Sequence, residues 1–163
     1  MNGTTPVLHM VCGKAAAGKS TLCAGLAAAP ATIVVAQDPW MAALYPEMRT
    51  VDDYLAHVPR LRAAIGPHLV TLLRAGLSVV LDWPANTAAT RDWMRSLAAE
   101  AGAAHRLHWL DVPDAVCLER LGRRNRAGEH PYAGMTRAQF EEITRYFEPP
   151  TDMEGLVVTR YGS

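Results

Sequence analysis

The run Gly13-Lys14-Ala15-Ala16-Ala17-Gly18-Lys19-Ser20 sets two glycines, a lysine and a hydroxyl at the spacing GxxxxGK[ST], with Thr21 next in line. Each residue type has a task if the partner is a chain of phosphates. Gly13 and Gly18 let the backbone, Ala15, Ala16 and Ala17 included, wrap closely enough for its N–H groups to face phosphate oxygens. The positive end of a following helix adds to that field, Lys19 reaches the β and γ phosphates, and the Ser20 hydroxyl can ligate Mg²⁺. The expected ligand is a purine nucleotide, ATP with Mg²⁺. The chain has fourteen arginines and two lysines, and both lysines fall in this loop. A compact ammonium fits among phosphate oxygens where a planar guanidinium is too large, which accounts for Lys19 and leaves Lys14 open.

Three carboxylates follow apolar runs elsewhere in the chain. Asp38 has two readings: a base that takes the proton of an attacking hydroxyl, which is favoured, or the N-cap of a helix beginning at Pro39. Asp82 either holds Mg²⁺ with Ser20 or caps the next turn. Asp111 reads as a strand-end cap. Arg120, Arg123, Arg124 and Arg126 put four cations within seven residues, the densest basic patch in the chain. Guanidinium groups arriving on a lid over residues 120–136 stabilise charge on a transferring phosphoryl group and exclude water. Arg120 and Arg124 share a helical face at i, i+4, and Arg123 lies beside it. One or two of these are expected at nucleotide, and the rest in solvent. Trp40, Tyr45, Tyr54 and His57 either line an acceptor pocket or pack in the core. His9 and His108, among apolar neighbours, read as partnered core histidines, and His130-Pro131-Tyr132 is a weaker site candidate.

Positioning these groups takes alternating strands and helices. Val7 to Cys12, Thr32 to Ala36, Ser78 to Leu81, Arg106 to Val112 and Leu156 to Thr159 are short, apolar and β-branched, and read as five buried strands. Helical stretches lie between them: Lys19 to Ala29, Arg60 to Arg74 with a kink at Pro67, Thr87 to Ala101, Asp114 to Arg124 and Thr136 to Phe147. The alternation implies an α/β fold with a mostly parallel sheet between two helical layers. Ligands gather at the carboxyl ends of such strands, where Gly13, Asp38, Asp82 and Asp111 all fall.

The 163 residues suit one domain, 1–163, with a real core. Sixteen basic and sixteen acidic residues cancel, which argues against a nucleic-acid partner. Cys12, Cys23 and Cys117 form no metal or redox spacing and read as small buried hydrophobes in a reducing compartment. No positive region precedes the Ala-rich N-terminal run, and no apolar stretch approaches a membrane span. A cytoplasmic protein without a membrane partner is expected.

With these residues placed, the chain resembles the AAA_33 group of P-loop kinase-like proteins, related to zeta toxins, chloramphenicol phosphotransferase, gluconate kinase and the kinase part of polynucleotide kinase. The likeness covers nearly the whole chain. It is carried by Gly13 to Thr21, Asp38, Ser-Val-Val-Leu-Asp at 78–82 with Arg91 downstream, Leu-Asp-Val-Pro at 110–113, Leu-Glu-Arg-Leu-Gly-Arg-Arg-Asn at 118–125, and Tyr-Phe-Glu-Pro-Pro at 146–150 before Glu154-Gly155. The resemblance implies a P-loop NTPase three-layer sandwich, five-stranded and adenylate-kinase-like, with an arginine-rich lid. It implies Asp38 as acceptor base, Lys19 and Ser20 at phosphates and magnesium, and Phe147 to Pro150, with Pro149 among them, near the nucleotide base. One position departs from the pattern: members that phosphorylate hydroxyls often carry Arg three residues after the base, where this chain has Met41. The expected activity is transfer of the ATP γ-phosphoryl group to a hydroxyl of a small-molecule acceptor. The alternative is a nucleotide-binding switch or accessory ATPase that works through a protein partner.

Overall fold

The computed structural model describes residues 5–128 and 134–162. Five strands form one sheet: β1 (Val7–Cys12), β2 (Thr32–Ala36), β3 (Ser78–Pro84), β4 (Ala104–Asp111) and β5 (Val158–Gly162), in the order β2-β3-β1-β4-β5. All four pairings are parallel. The glycine loop leaves the central strand, so both neighbouring strand ends flank it.

Helices cover both faces. On one side lie α1 (Lys19–Leu26) and α5 (Asp114–Ala127), packed with α6 (Arg137–Thr144) around Ala16, Ala17, Leu110, Cys117, Leu121 and Phe140. On the other lie α3 (Val51–Arg74) and α4 (Ala88–Ala101), whose buried Leu61, Ile65, Leu69, Met94 and Leu97 join Leu8, Met10, Leu81 and Leu107 in the main core. Strand alternation sorts β3 between the layers: Val79, Leu81 and Trp83 enter the α3–α4 core, while Val80 meets α1. Asp82 therefore turns to the α1 side and Trp83 away from it.

Several elements differ from the sequence expectation; β3 runs on to Pro84, so Asp82 lies within the strand and not at its end. The helix predicted from Arg60 starts at Val51, capped by a Thr50–Asp53 box, and runs through both Pro59 and Pro67. Each interior proline removes a helical hydrogen bond at about 3 kcal/mol. Seven buried positions along this helix, from Val58 to Leu73, offset that loss through packing. A short α2 (Gln37–Leu44) also follows β2 directly, with Ala36 at its cap. Asp38 is thus inside the first turn and not the N-cap, although its carboxylate still meets the positive helix end. At the other end of the chain, α6 stops at Thr144 and leaves residues 146–150 as a strap. Among the described residues no helix is long and apolar enough to cross a membrane.

Candidate active site

The loop between β1 and α1 is shaped by three unusual backbone positions. Gly13 has φ 155°, and a Cβ there would stand 2.9 Å from the Leu110 carbonyl oxygen, so the close approach of β4 excludes any side chain. Ala16 (φ 59°) and Gly18 (φ 103°) take left-handed conformations that fold the loop back over the start of α1. Lys19 Nζ donates to the carbonyls of Gly13 and Lys14, both at 2.7 Å. Burial pushes the Lys19 ammonium down to about 8, against the pull of Asp82 and, more weakly, Asp38. Both carboxylates thus lie within electrostatic reach of Lys19. Asp82 is in register with Ala36, and Asp38 stands two residues beyond that, exposed. Ser20 and Thr21 are exposed at the start of α1.

The loop is tied down from three sides. Asn86, just past β3, accepts from Gly13 N–H (2.9 Å) and donates to the Gly13 carbonyl (3.0 Å), holding the peptide units on both sides of Gly13. Lys14 pairs with Asp114 at the start of α5 and donates to the Val112 carbonyl at 3.4 Å. Arg120 on α5 donates to the Ala17 carbonyl at 3.1 Å. Lys14 is therefore a tether in this structure, which answers the question that phosphate chemistry left open. Of the three predicted site arginines, Arg120 bonds the loop, half-buried Arg124 shares its helical face, and Arg123 is exposed and paired with Glu119 at 2.7 Å. All three stand on helix α5. His130, Pro131 and Tyr132 lie outside the described residues.

Arg91 is fully buried and completely partnered: it grips Glu154 with two nitrogens (2.6 and 2.9 Å) and donates to the carbonyls of Ala85 (3.0 Å) and Glu148 (2.9 Å). The Glu148 N–H in turn donates to the Asn86 carbonyl at 2.8 Å, and the Glu148 carboxylate accepts from Ala88 N–H at 2.7 Å. The strap carrying exposed Pro149 is therefore fastened to the same Asn86 that clamps Gly13.

A family model described as an AAA domain, AAA_33, matches residues 8–150. The chain belongs to that family. In three dimensions it is similar to a candidate kinase from Chloroflexus aurantiacus J-10-fl, at TM-score 0.73 and 20% identity over 98% of this chain and 89% of that one. It is also similar to Kti12 of Chaetomium thermophilum, solved with ADP-AlF3 (TM-score 0.68, 18% identity, 96% and 89% covered). A gluconokinase from Sinorhizobium meliloti 1021 shares the fold at TM-score 0.60 and 20% identity, with 98% and 84% covered. No curated protein matches the chain in sequence. The α/β P-loop fold expected from the sequence is thus the fold observed.

Within this AAA_33 domain, sequence reasoning missed Asn86 and the work of Lys14. Asn86 left one usable signal, a polar side chain immediately beyond an apolar strand beside the glycine loop's own strand. Met41, at the position that departs from the family pattern, is 1% exposed and belongs to the core, so it brings no polar group to the cleft. The three cysteines are buried and free, as expected of small hydrophobes, and burial pushes Cys12 and Cys23 up to about 12.

Proposed function

We propose that this protein is an ATP-dependent kinase that phosphorylates a hydroxyl on a small molecule. The observation that carries the reading is the convergence of a complete, pre-shaped phosphate loop on β1 with an exposed Asp38 in the first turn after β2, one strand beyond β3 and within electrostatic range of Lys19. The kinases among its structural relatives support it.

In this reading the loop's backbone N–H groups beyond Gly13, whose own N–H is held by Asn86, face the β and γ phosphates. Lys19 turns from the Gly13 and Lys14 carbonyls to the phosphate oxygens, and Pro149 borders the base. The donors suited to magnesium are hard oxygens, the Ser20 hydroxyl and the Asp82 carboxylate. Among the described residues no cluster of three or more metal-ligating side chains exists, which fits an ion held mainly by phosphates and water. Bound there, the ion would neutralise charge on the β and γ oxygens. Asp38 takes the proton as the acceptor oxygen forms its bond to the γ phosphorus, the bond to the β-phosphate oxygen breaks, and ADP leaves. Arg120 and Arg124, on one face of α5, stabilise the charge spread over the transferring group. Arg123, exposed and neutralised by its pair with Glu119, is outside this group.

The test is ADP release from Mg·ATP with and without a panel of hydroxyl-bearing metabolites, in wild type and Asp38→Asn. Stimulation by one class of compound, reduced roughly 10²–10⁴-fold in Asp38→Asn with nucleotide binding unchanged, is the expected result. Equal stimulation in both proteins would remove Asp38 from the mechanism. Tight nucleotide binding with no stimulation by any compound would leave the partner-dependent ATPase in its place.

A further inference from the structure

The α3–α4 side of the cleft contains a cation without an anion. Arg62, on the middle of α3, is half-buried, and its guanidinium lies 5.0 Å above the Trp93 ring. Its Nη2 donates to the Thr90 hydroxyl at 3.0 Å, while its buried Nε has no hydrogen-bond partner. Among the described residues no carboxylate stands within ion-pair distance of it. Trp83 stacks on Trp93 with centroids 5.6 Å apart, and its buried Nε1 also lacks a partner. The cluster therefore leaves two N–H donors, Arg62 Nε and Trp83 Nε1, without an acceptor. Such groups are destabilising when left unpaired, because burial removes their water without replacing it. Arg91, one residue beyond Thr90 and more deeply buried, shows the contrast: every edge of its guanidinium meets a carboxylate or carbonyl.

The position of Arg62 ties it to the reacting end. Gln37, next to Asp38, is buried and donates to the Tyr54 hydroxyl. Tyr54 and Arg62 are eight residues apart on one face of α3, and the Tyr54 phenol lies within electrostatic range of the Arg62 guanidinium. Thr90, the hydroxyl that holds Arg62, stands in the first turn of α4, four residues after the Asn86 clamp. Arg62 thus stands between Tyr54, which holds the residue before Asp38, and Thr90 at the start of α4.

We propose that the acceptor carries an oxyanion, a carboxylate or a phosphate monoester, beside the hydroxyl it presents to Asp38, and that Arg62 binds this group. The inference rests on the kinase reading of the same site. It selects sugar acids, sugar phosphates and similar anionic alcohols over neutral sugars, phenicols and cationic aminoglycosides. Arg62 sets which acceptor binds and takes no part in moving the proton or the phosphoryl group.

Two measurements test it. With the phosphate loop filled by a non-hydrolysable ATP analogue, inorganic sulfate is titrated into wild type, Arg62→Met and Arg62→Lys while the melting temperature is followed. A second, saturable stabilisation is expected in wild type, lost in Arg62→Met and partly kept in Arg62→Lys. Phosphoryl transfer is then compared across matched pairs, sugar acids or sugar phosphates against their uncharged parents. The charged member should be preferred, and Arg62→Met should raise its KM by roughly 100-fold with the KM for ATP unchanged. Preference for sugar acids or for sugar phosphates then separates the two sources of the oxyanion. Equal use of neutral and charged members, or an unchanged KM in Arg62→Met, would overturn the anionic acceptor and leave the kinase reading in place. Sulfate binding that depends on Arg62, with no transfer to any compound, would keep the anion site and overturn the kinase reading. Sulfate binding that ignores Arg62 would overturn the site. Arg62→Met keeps an apolar stem over Trp93 and should melt at or above the wild-type temperature without ligand. A variant that melts far below it would mark the guanidinium as structural and end the proposal.

Discussion

The two halves of the cleft treat their buried polar groups differently. Around the phosphate loop they are partnered before any ligand arrives: Lys19 on two carbonyls, Gly13 clamped by Asn86, Lys14 on Asp114, Arg120 on Ala17, Arg91 on Glu154. Across α3 and its neighbours, His57 Nδ1, Arg62 Nε and Trp83 Nε1 are buried without partners. A fourth such group, Trp109 Nε1, lies on β4 beneath the Arg160 guanidinium. The phosphate half is preorganised, so little is reordered when a nucleotide binds. The α3 half keeps buried N–H groups without partners, and in the proposed anion site the acceptor completes Arg62.

The largest effect expected of any single change is at Lys19. Lys19→Ala removes the cation at the β and γ phosphates and the two bonds that shape the loop, and should abolish measurable nucleotide binding by calorimetry. Sulfate binding that depends on Arg62 should survive in that variant at high sulfate, if the halves are separable. Loss of both would show that the comparison draws its line in the wrong place.

Asn86→Ala should come next. It leaves the Gly13 N–H without its partner, at about 1–3 kcal/mol for the unmet donor, while the Gly13 carbonyl keeps Lys19. Because the Asn86 backbone still holds Glu148, the strap should stay in place while the loop loosens. A fall in nucleotide affinity of roughly tenfold is expected, together with a lower melting temperature. Normal affinity would mean that Gly13 is held by β4 alone.

The Lys19 ammonium gives the phosphate half a pH signature. Its pKa of about 8 in the empty loop lies below the usual 10.5, so between these values the unfolded chain binds a proton that the folded chain does not. Stability of the empty protein should therefore rise as pH increases from about 8 toward 10.5, and this rise should be missing in Lys19→Ala. Nucleotide affinity should move oppositely, weakening above pH 8 as the ammonium that meets phosphate is lost. Parallel rather than opposed trends would show that Lys19 is not the group being titrated.

The same contrast explains what could be read from the chain. Gly13, Gly18, Lys19 and Ser20 are legible because phosphate chemistry demands fixed residue types at fixed spacing, and the strands are legible because β1, β3 and β4 are buried on both faces. Asp38 and Asp82 are legible as carboxylates that close apolar runs, although Asp38 falls in α2 and β3 continues past Asp82 to Pro84. Arg62 and Asn86 were not legible: an arginine within an amphipathic helix is ordinarily solvated, and only the packing of α3 on α4 removes it from water. The start of α3 was hidden by Pro59, whose local penalty is outweighed by burial that no local window reveals. The arginine segment was legible as a patch but not by role, since the turn of α5 decides that Arg120 meets Ala17 while Arg123 meets Glu119.

The smallest expected effect probes whether partnering extends behind the loop. His9 Nδ1 and His108 Nε2 are 3.0 Å apart, and His108 Nδ1 meets the Tyr161 hydroxyl at 2.8 Å, forming a chain across β1, β4 and β5. Burial first, then His9 and Arg106, hold His108 down to about 4; burial and then Arg106 lower His9 as well. Between the ordinary value of 6.5 and about 4, the unfolded state binds a proton that folded His108 refuses, so stability falls as pH drops through that window and is fully present above it. His108→Gln keeps a donor and an acceptor between His9 and Tyr161 but does not titrate. Its melting temperature should change by only about 2–4 °C at neutral pH, and it should lose less than wild type between pH 6.5 and 4. An identical acid limb in the two proteins would assign the loss to other groups and confine the fully partnered region to the phosphate loop itself.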